Sequence, residues 1–198
     1  TRSSESPPLL VFLHGAGQKG TSLEQLRGAS LPSLVEDGLD LPATVVAPLA
    51  GPGPGWPVQR VAEFIHEVRR IHSADPRRIY LTGESMGGRG VWEIAYWHPS
   101  LLAALVPVCG FGIPNLAPVL KDMPVWMFHG TDDEILPVAR SDEMSAALER
   151  VGAPYRYSRL AGRPHSIGRE VYQNSELWDW LFAQSRNAGE AEPESLRS

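Results

Sequence analysis

The residue types of a nucleophile, an orienting acid and a base occur in this 198-residue chain in the order serine, aspartate, histidine. Ser85 stands at the centre of Gly83-Glu84-Ser85-Met86-Gly87. A strand-like run, Arg78 to Thr82, precedes this pentapeptide, and a helix-like run, Gly88 to Trp97, follows it. Strand, G-x-S-x-G and helix together describe a sharp turn that holds a serine hydroxyl out over the end of a sheet, beside a helix N-terminus. A serine hydroxyl is a poor nucleophile at neutral pH. It needs a base that takes its proton during attack, and the base needs an orienting acid. Asp133, in His129-Gly130-Thr131-Asp132-Asp133, and His165, in Gly162-Arg163-Pro164-His165, each follow a candidate strand and supply those two roles.

Six histidines compete for the role of base. His66 and His72 fall on or at the end of a helical pattern, and His98 precedes Pro99 at a helix end, where solvated or capping roles are expected. His14 and His129 each precede a glycine at a strand end, where an imidazole bonding loop backbone is expected. His165 alone follows the last strand and lies downstream of a candidate acid. Asp132 and Asp133 are neighbours whose side chains point different ways, and the spacing from Gly130 favours Asp133.

Attack on a carbonyl also needs two backbone N–H groups aimed where negative charge develops. Met86, the residue after the nucleophile, supplies one. The glycine-rich loop His14-Gly15-Ala16-Gly17 supplies the other, with Ala16 as donor and Gly17 behind it as a substrate contact. Trp56 lies in a loop, Pro48 to Pro57, that also follows a strand end, and is expected to form an apolar wall of the site. Glu84, beside the nucleophile, is expected to face the substrate as well. No metal is expected, because H-E-x-x-H or comparable spacing is absent. No cofactor is expected either. There is no dinucleotide fingerprint, and the glycine-rich stretch Gly83 to Gly90 lacks the lysine of a phosphate-binding loop. Cys109 is the single cysteine, so no internal disulfide can form, and it reads as a buried packing residue.

These residues need a scaffold that brings strand ends together. Leu9 to Leu13, Thr44 to Ala47, Ile79 to Thr82, Ala103 to Val108, Val125 to Phe128 and Tyr155 to Leu160 are short apolar runs. Between them lie helical patterns: Val58 to about His72, with Val58, Val61, Ile65, Val68 and Ile71 as one stripe; Gly88 to Trp97; and Val138 to Val151. Tyr172 to Gln184 is expected as one closing helix. Apolar strands alternating with helices predict an α/β protein with a mostly parallel sheet of about six strands, covered on both faces. In such sheets a site forms beyond the C-terminal strand ends, where His14, Ser85, Asp133 and His165 all fall. Residues 1–186 are expected to form a single domain and 187–198 a disordered acidic tail.

Composition removes other classes. The hydrophobic fraction of 42% and charged fraction of 21% are ordinary for a globular protein. A net charge of −5 with scattered arginines argues against a nucleic-acid partner. No apolar run reaches the roughly 18 residues a membrane span needs. No secretory segment is recognisable, which leaves the compartment open; oligomeric state is not legible.

On these motifs the chain resembles the α/β-hydrolase superfamily, and within it the compact phospholipase/carboxylesterase and prolyl-oligopeptidase-like esterases. The resemblance runs from Leu9 to about Phe182. It rests on Leu10-Val11-Phe12-Leu13-His14-Gly15-Ala16-Gly17, on Asp75 to Gly83, and on Ser85-Met86-Gly87-Gly88 with Trp92. It continues through Val125 to Asp133 with Pro137, then His165, Tyr172 and Glu176 to Leu181. It implies Ser85, Asp133 and His165 as a catalytic triad, Ala16 and Met86 as oxyanion donors, and hydrolysis of carboxylic esters. Three departures matter. Glu84 stands where the family usually has an uncharged residue; it would raise the basicity of His165 or be buried against an arginine such as Arg89. Pro164 replaces the usual glycine before the base. Only eight residues precede the first strand where relatives carry two further strands, as in a minimal form or a trimmed domain. No cap insertion is visible between Ala103 and Val125, which predicts an open site favouring short-chain or aryl esters of small molecules. A peptidase or thioesterase would use the same triad, and a non-catalytic binding module would keep the fold alone.

Overall fold

The computed structural model describes residues 6–186. The expected disordered tail, 187–198, lies outside the described residues. Six strands form one sheet: β1 (Leu9–Leu13), β2 (Thr44–Val46), β3 (Ile79–Glu84), β4 (Ala104–Val108), β5 (Val125–Gly130) and β6 (Tyr155–Leu160). Their order is β2-β1-β3-β4-β5-β6, and every neighbouring pair is parallel. The sheet is therefore wholly parallel rather than mostly so. All its C-terminal ends lie along one edge, and the residues singled out above follow those ends.

Parallel strands need crossovers on the sheet faces, and the residue alternation shows both faces covered. In β1, Leu9, Val11 and Leu13 join one core with Ile65, Trp92 and Met144. These come from α2 (Val58–Ile71), α3 (Met86–Trp97) and α4 (Ala139–Arg150). Leu10 and Phe12 face the other core, with Leu31, Tyr172, Trp178 and Leu181. These come from α1 (Ser30–Glu36), α5 (Gly168–Tyr172) and α6 (Ser175–Phe182). All five residues of β1 have no exposed surface, as a strand between two helical layers requires.

β1 is flanked by β2 on one side and β3 on the other, so the connections leaving β1 and β3 diverge there. That is the switch point at which open parallel sheets leave a crevice. Two elements depart from expectation. The closing helix expected from Tyr172 to Gln184 is the shorter α6, which Asn174 starts by accepting from the Glu176 N–H at 3.0 Å, while Tyr172 ends the preceding α5. α5 and α6 bury residues on the same side, so one apolar stripe spans the break and periodicity does not reveal it. α1 has only seven residues with Pro32 in its first turn, too short a pattern to announce itself, yet it walls the site. Between β4 and β5 the described chain holds a single 3-10 stretch, Pro114–Leu120, and no cap. No helix among the described residues is long and apolar enough to cross a membrane.

Candidate active site

Ser85 occupies the junction of β3 and α3 with φ 54° and ψ −113°. Left-handed φ in a non-glycine residue is strained, and here it turns a strand directly into a helix. The turn closes because Gly87 has no side chain: a Cβ there would overlap the Leu13 carbonyl oxygen at the end of β1. Helix α3 therefore starts against the first strand, next to the loop that follows it. Met86 is the first residue of α3, and Ala16 is the first residue of a 3-10 turn, Ala16–Gln18. Helices leave the N–H groups of such positions without internal partners.

Fully buried His14 holds the Gly15–Gly17 loop in place. Its Nδ1–H donates to the Gly15 carbonyl (2.7 Å), and its Nε2 accepts from the Ala50 N–H (2.9 Å). Accepting a backbone N–H requires a neutral ring, and burial lowers the His14 pKa, outweighing the Gly15 carbonyl. His14 is thus the loop-bonding imidazole expected of it.

Trp56 corrects the expectation that it lines the site. Its indole N–H donates to the His14 carbonyl at 3.2 Å, and its ring meets the His14 ring edge-on at 4.8 Å. Only 5% of Trp56 is exposed, within the α2–α3 core. The reason is its proline-rich loop, which folds the indole under the β1 loop instead of beside the crevice.

At the other end of the crevice, Asp133 and His165 meet. His165 Nδ1 lies 2.6 Å from Asp133 Oδ2. Asp133 Oδ1 accepts the N–H groups of Ile135 (2.9 Å) and Leu136 (2.8 Å). Burial alone would push this carboxyl up, but the His165 N–H and the two backbone N–H groups outweigh it and hold it below the usual carboxylate range. Asp132 is exposed and accepts from the Thr131 hydroxyl at 2.7 Å, so it takes no part in this contact. The loops after β5 and β6 are tied together by Asp132 N–H to the Arg163 carbonyl (3.0 Å) and Gly162 N–H to the Thr131 hydroxyl (2.8 Å). The Cys109 thiol, also at a left-handed φ (46°), donates to the His165 carbonyl at 3.1 Å. Burial pushes that thiol up to about 12, so it stays neutral and serves as a tether for the histidine loop.

Cys109, His129 and Asp133 lie close enough together to suggest a metal cluster, but their chemistry does not fit one. The thiol is protonated, and His129 Nε2 faces two oxygens, Leu136 O and Asp133 Oδ2, both at 2.9 Å. A nitrogen facing two acceptors carries a proton and has no lone pair to offer.

Ser85, Glu84, Ala16, Gly17 and His165 all line one cavity of about 520 Å³, walled otherwise mainly by Gln18, Ser30, Ser33, Ile135 and Arg169. Ile135 is 67% exposed and forms its apolar rim. Arg169 is held by Ser33 (3.0 Å) and Asp37 (2.8 Å). Ser30, Ser33 and Arg169 come from α1 and α5, whose packing is invisible to local sequence patterns.

Glu84 is not paired with Arg89, which binds Glu93 at 2.7 Å. Instead its Oε1 accepts the Ser30 hydroxyl at 2.5 Å. Gly168 leaves room for its second oxygen, which a Cβ there would strike. Burial raises the Glu84 pKa, against the opposing pull of Ser30 and of nearby His165. A carboxyl raised in the folded state adds stability below its unfolded pKa and loses it as pH rises through the folded value. The substitution Glu84→Gln is therefore expected to raise Tm at pH 7–8 by about 2–4 °C, with the gain vanishing toward pH 4. Thermal unfolding across that pH range checks it, and a gain independent of pH would contradict it.

No family model matches the chain. Solved and curated proteins do. A thermostable esterase of known structure is 32% identical, with a TM-score of 0.85 over 94% of this chain and 57% of its own. A bifunctional acetylxylan esterase/xylanase of Neocallimastix patriciarum is 28% identical over 137 residues, 65% of this chain and 20% of that protein. An acyl-protein thioesterase 1 homolog of Dictyostelium discoideum is 42% identical over 83 residues, 39% of this chain and 37% of its own length. The chain thus spans well under half the length of these two curated relatives. With its wholly parallel sheet, its strand–serine–helix turn at the switch point and these relatives, the chain has the α/β-hydrolase fold.

Proposed function

We propose that the chain hydrolyses carboxylic esters with short acyl groups, through an acyl-enzyme on Ser85. The observation that carries this reading is the shared cavity: a strained serine, and a histidine held at 2.6 Å by a buried carboxylate, open onto the same space. In the first half-reaction Ser85 Oγ attacks the acyl carbonyl while His165 Nε2 takes its proton. The N–H groups of Met86 and Ala16 receive the developing oxyanion. His165 then protonates the departing alcohol. In the second half, water attacks the acyl-enzyme, giving its proton to His165, and Ser85 is released. Asp133 keeps the proton of His165 on Nδ1, so that Nε2 is the nitrogen with a lone pair.

The walls support a small acyl group and a polar alcohol. With Trp56 withdrawn into the core, Ile135 is the large apolar residue left on the cavity, and the rest is glycine, alanine, serine, glutamine, glutamate, histidine and arginine. Esters of hydroxyl-rich alcohols suit such walls, as does the name of the acetylxylan esterase relative. A thioesterase reading is kept by the 42% identity to an acyl-protein thioesterase homolog.

A panel of p-nitrophenyl esters from acetate to laurate, with acetylated xylo-oligosaccharides and a long-chain acyl thioester, separates these readings. The acetate ester is expected to have the highest kcat/KM, with a loss of about tenfold or more by octanoate as the chain outgrows the cavity. A preference for the long-chain thioester would overturn the short-ester assignment.

A further inference from the structure

We propose that Glu84 reads the alcohol half of the substrate: its second carboxylate oxygen accepts an O–H or N–H that the alcohol carries beside the ester. The inference rests on the ester-hydrolase reading above and names a group that its substrate bears.

The position follows from strand alternation. Tyr80, Thr82 and Glu84 fall on one side of β3. Tyr80 joins the core shared by α1, α5 and α6, and Thr82 Oγ1 lies 2.9 Å from the Tyr172 hydroxyl of α5. One step further along the strand, Glu84 leaves that core and enters the cavity. It lies there between Ser30, the first residue of α1, and Gly168, the first of α5, and both of these line the cavity as well.

The carboxyl is held from one side. Oε1 accepts the Ser30 hydroxyl at 2.5 Å, and the Ser30 backbone N–H also acts on the group. Oε2 rests against Gly168, where a Cβ would strike it, and no side chain among the described residues donates to it. The nearby arginines are engaged elsewhere. Arg169 on the cavity wall is held by Ser33 and Asp37, and Arg89 by Glu93. Burial raises the Glu84 pKa, as it does for a carboxyl whose charge no cation balances. An acceptor of this kind on a cavity wall is completed by a donor from the ligand, and a charged acceptor makes the stronger class of hydrogen bond.

Its place selects the half of the substrate. His165 must reach the alcohol oxygen to protonate it, so the alcohol lies on the histidine side of Ser85. Gly168, which backs Oε2, belongs to the segment that runs from His165 into α5, and His165 is near enough to pull on the Glu84 carboxyl. An alcohol with a second hydroxyl or a protonated amine brings the missing donor. A hydrocarbon of the same shape leaves the oxygen facing carbon, a mismatch that discriminates strongly.

Two pairs of acetates of matched shape test this at pH 7, each rate divided by that of hydroxide-catalysed hydrolysis of the same ester. 2-Hydroxyethyl acetate is set against propyl acetate. 2-(Dimethylamino)ethyl acetate, protonated at this pH, is set against 3-methylbutyl acetate. The unaltered chain is expected to favour the donor-bearing member by about tenfold or more in kcat/KM. In Glu84→Met, of similar length but without the acceptor, both preferences are expected to vanish. In Glu84→Gln the ammonium preference is expected to vanish, while part of the hydroxyl preference persists because the amide can donate to that oxygen. Ratios within one variant cancel a general loss of activity, and fluorophosphonate labelling of Ser85 reports that the nucleophile turn is intact in each.

A preference in the hydroxyl pair alone marks a polyol ester, and in the ammonium pair alone an amino-alcohol ester; either supports the proposal. The proposal is overturned by no preference in either pair, by a preference that Glu84→Met retains, or by labelling without cleavage of any of the four esters. Each of these leaves Ser85 standing as nucleophile. Absence of labelling in the unaltered chain overturns the hydrolase reading itself, and this proposal with it.

Discussion

Replacing Ser85 with alanine is expected to lower ester turnover by about a millionfold, the loss typical of removing a nucleophile whose base and acid act with it as a unit. The size follows from what remains. An alanine leaves the N–H groups of Met86 and Ala16 in place, and such donors with substrate binding alone sustain roughly 10³–10⁴-fold catalysis over water. The base, still held by Asp133, has no hydroxyl to activate. The fold should be indifferent, because alanine meets the same strain as serine at φ 54° and nothing else in the turn changes. Purified Ser85→Ala is thus expected to unfold at the temperature of the parent chain, to hydrolyse p-nitrophenyl acetate at close to background, and to resist fluorophosphonate labelling. The cavity offers other serines as a control on this reasoning. Ser30 is bound to Glu84, Ser33 to Arg169, and Ser166 directly follows the base. His165 is the histidine on the cavity wall, in the loop after β6. If Ser85→Ala kept activity within about a hundredfold of the parent, the nucleophile would have to be sought among those serines.

What the sequence discloses about this molecule divides along a physical line. Strand positions are legible because β1, β3, β4 and β5 are buried on both faces and so read as unbroken apolar runs. Ser85 is legible because its turn requires glycines at fixed offsets, and Asp133 and His165 because they follow strand ends; their roles await the substitutions above. The residues around them are another matter. Ser30 reaches Glu84 across 54 positions of sequence, and Cys109 reaches the His165 carbonyl across 56. No local spacing encodes such contacts; they exist only once α1 and the β4 loop are packed. Trp56 shows the converse error. A loop after a strand end is a fair place to seek a site residue, but an indole this large gains more by burial under the β1 loop, where its N–H finds the His14 carbonyl. Glu84 was expected near the substrate or an arginine. It lines the cavity, yet its partner is a neutral hydroxyl, so its charge is not compensated by a cation.

Asp133→Asn is expected to cost about 10⁴-fold in kcat, chiefly by putting the proton on the wrong nitrogen of His165. The geometry here makes the substitution harsher than a loss of charge. Asp133 accepts from three donors, spread over both oxygens, and asparagine has one oxygen to offer in place of two. With its amide nitrogen toward His165, that nitrogen faces the His165 N–H. His165 can relieve the conflict only by moving its proton to Nε2, the nitrogen that must receive the serine proton. With the amide reversed, its nitrogen instead faces the Ile135 and Leu136 N–H groups. Either orientation leaves donors pointing at donors in a buried place, which typically costs about 1–3 kcal/mol per unsatisfied group. Stability should therefore fall together with kcat, whereas Ser85→Ala loses activity alone. Chemical denaturation and steady-state kinetics on both variants separate the two effects. An Asp133→Asn chain with kcat within tenfold of the parent would remove Asp133 as the orienting acid and direct attention to Glu84, the other carboxylate close to His165.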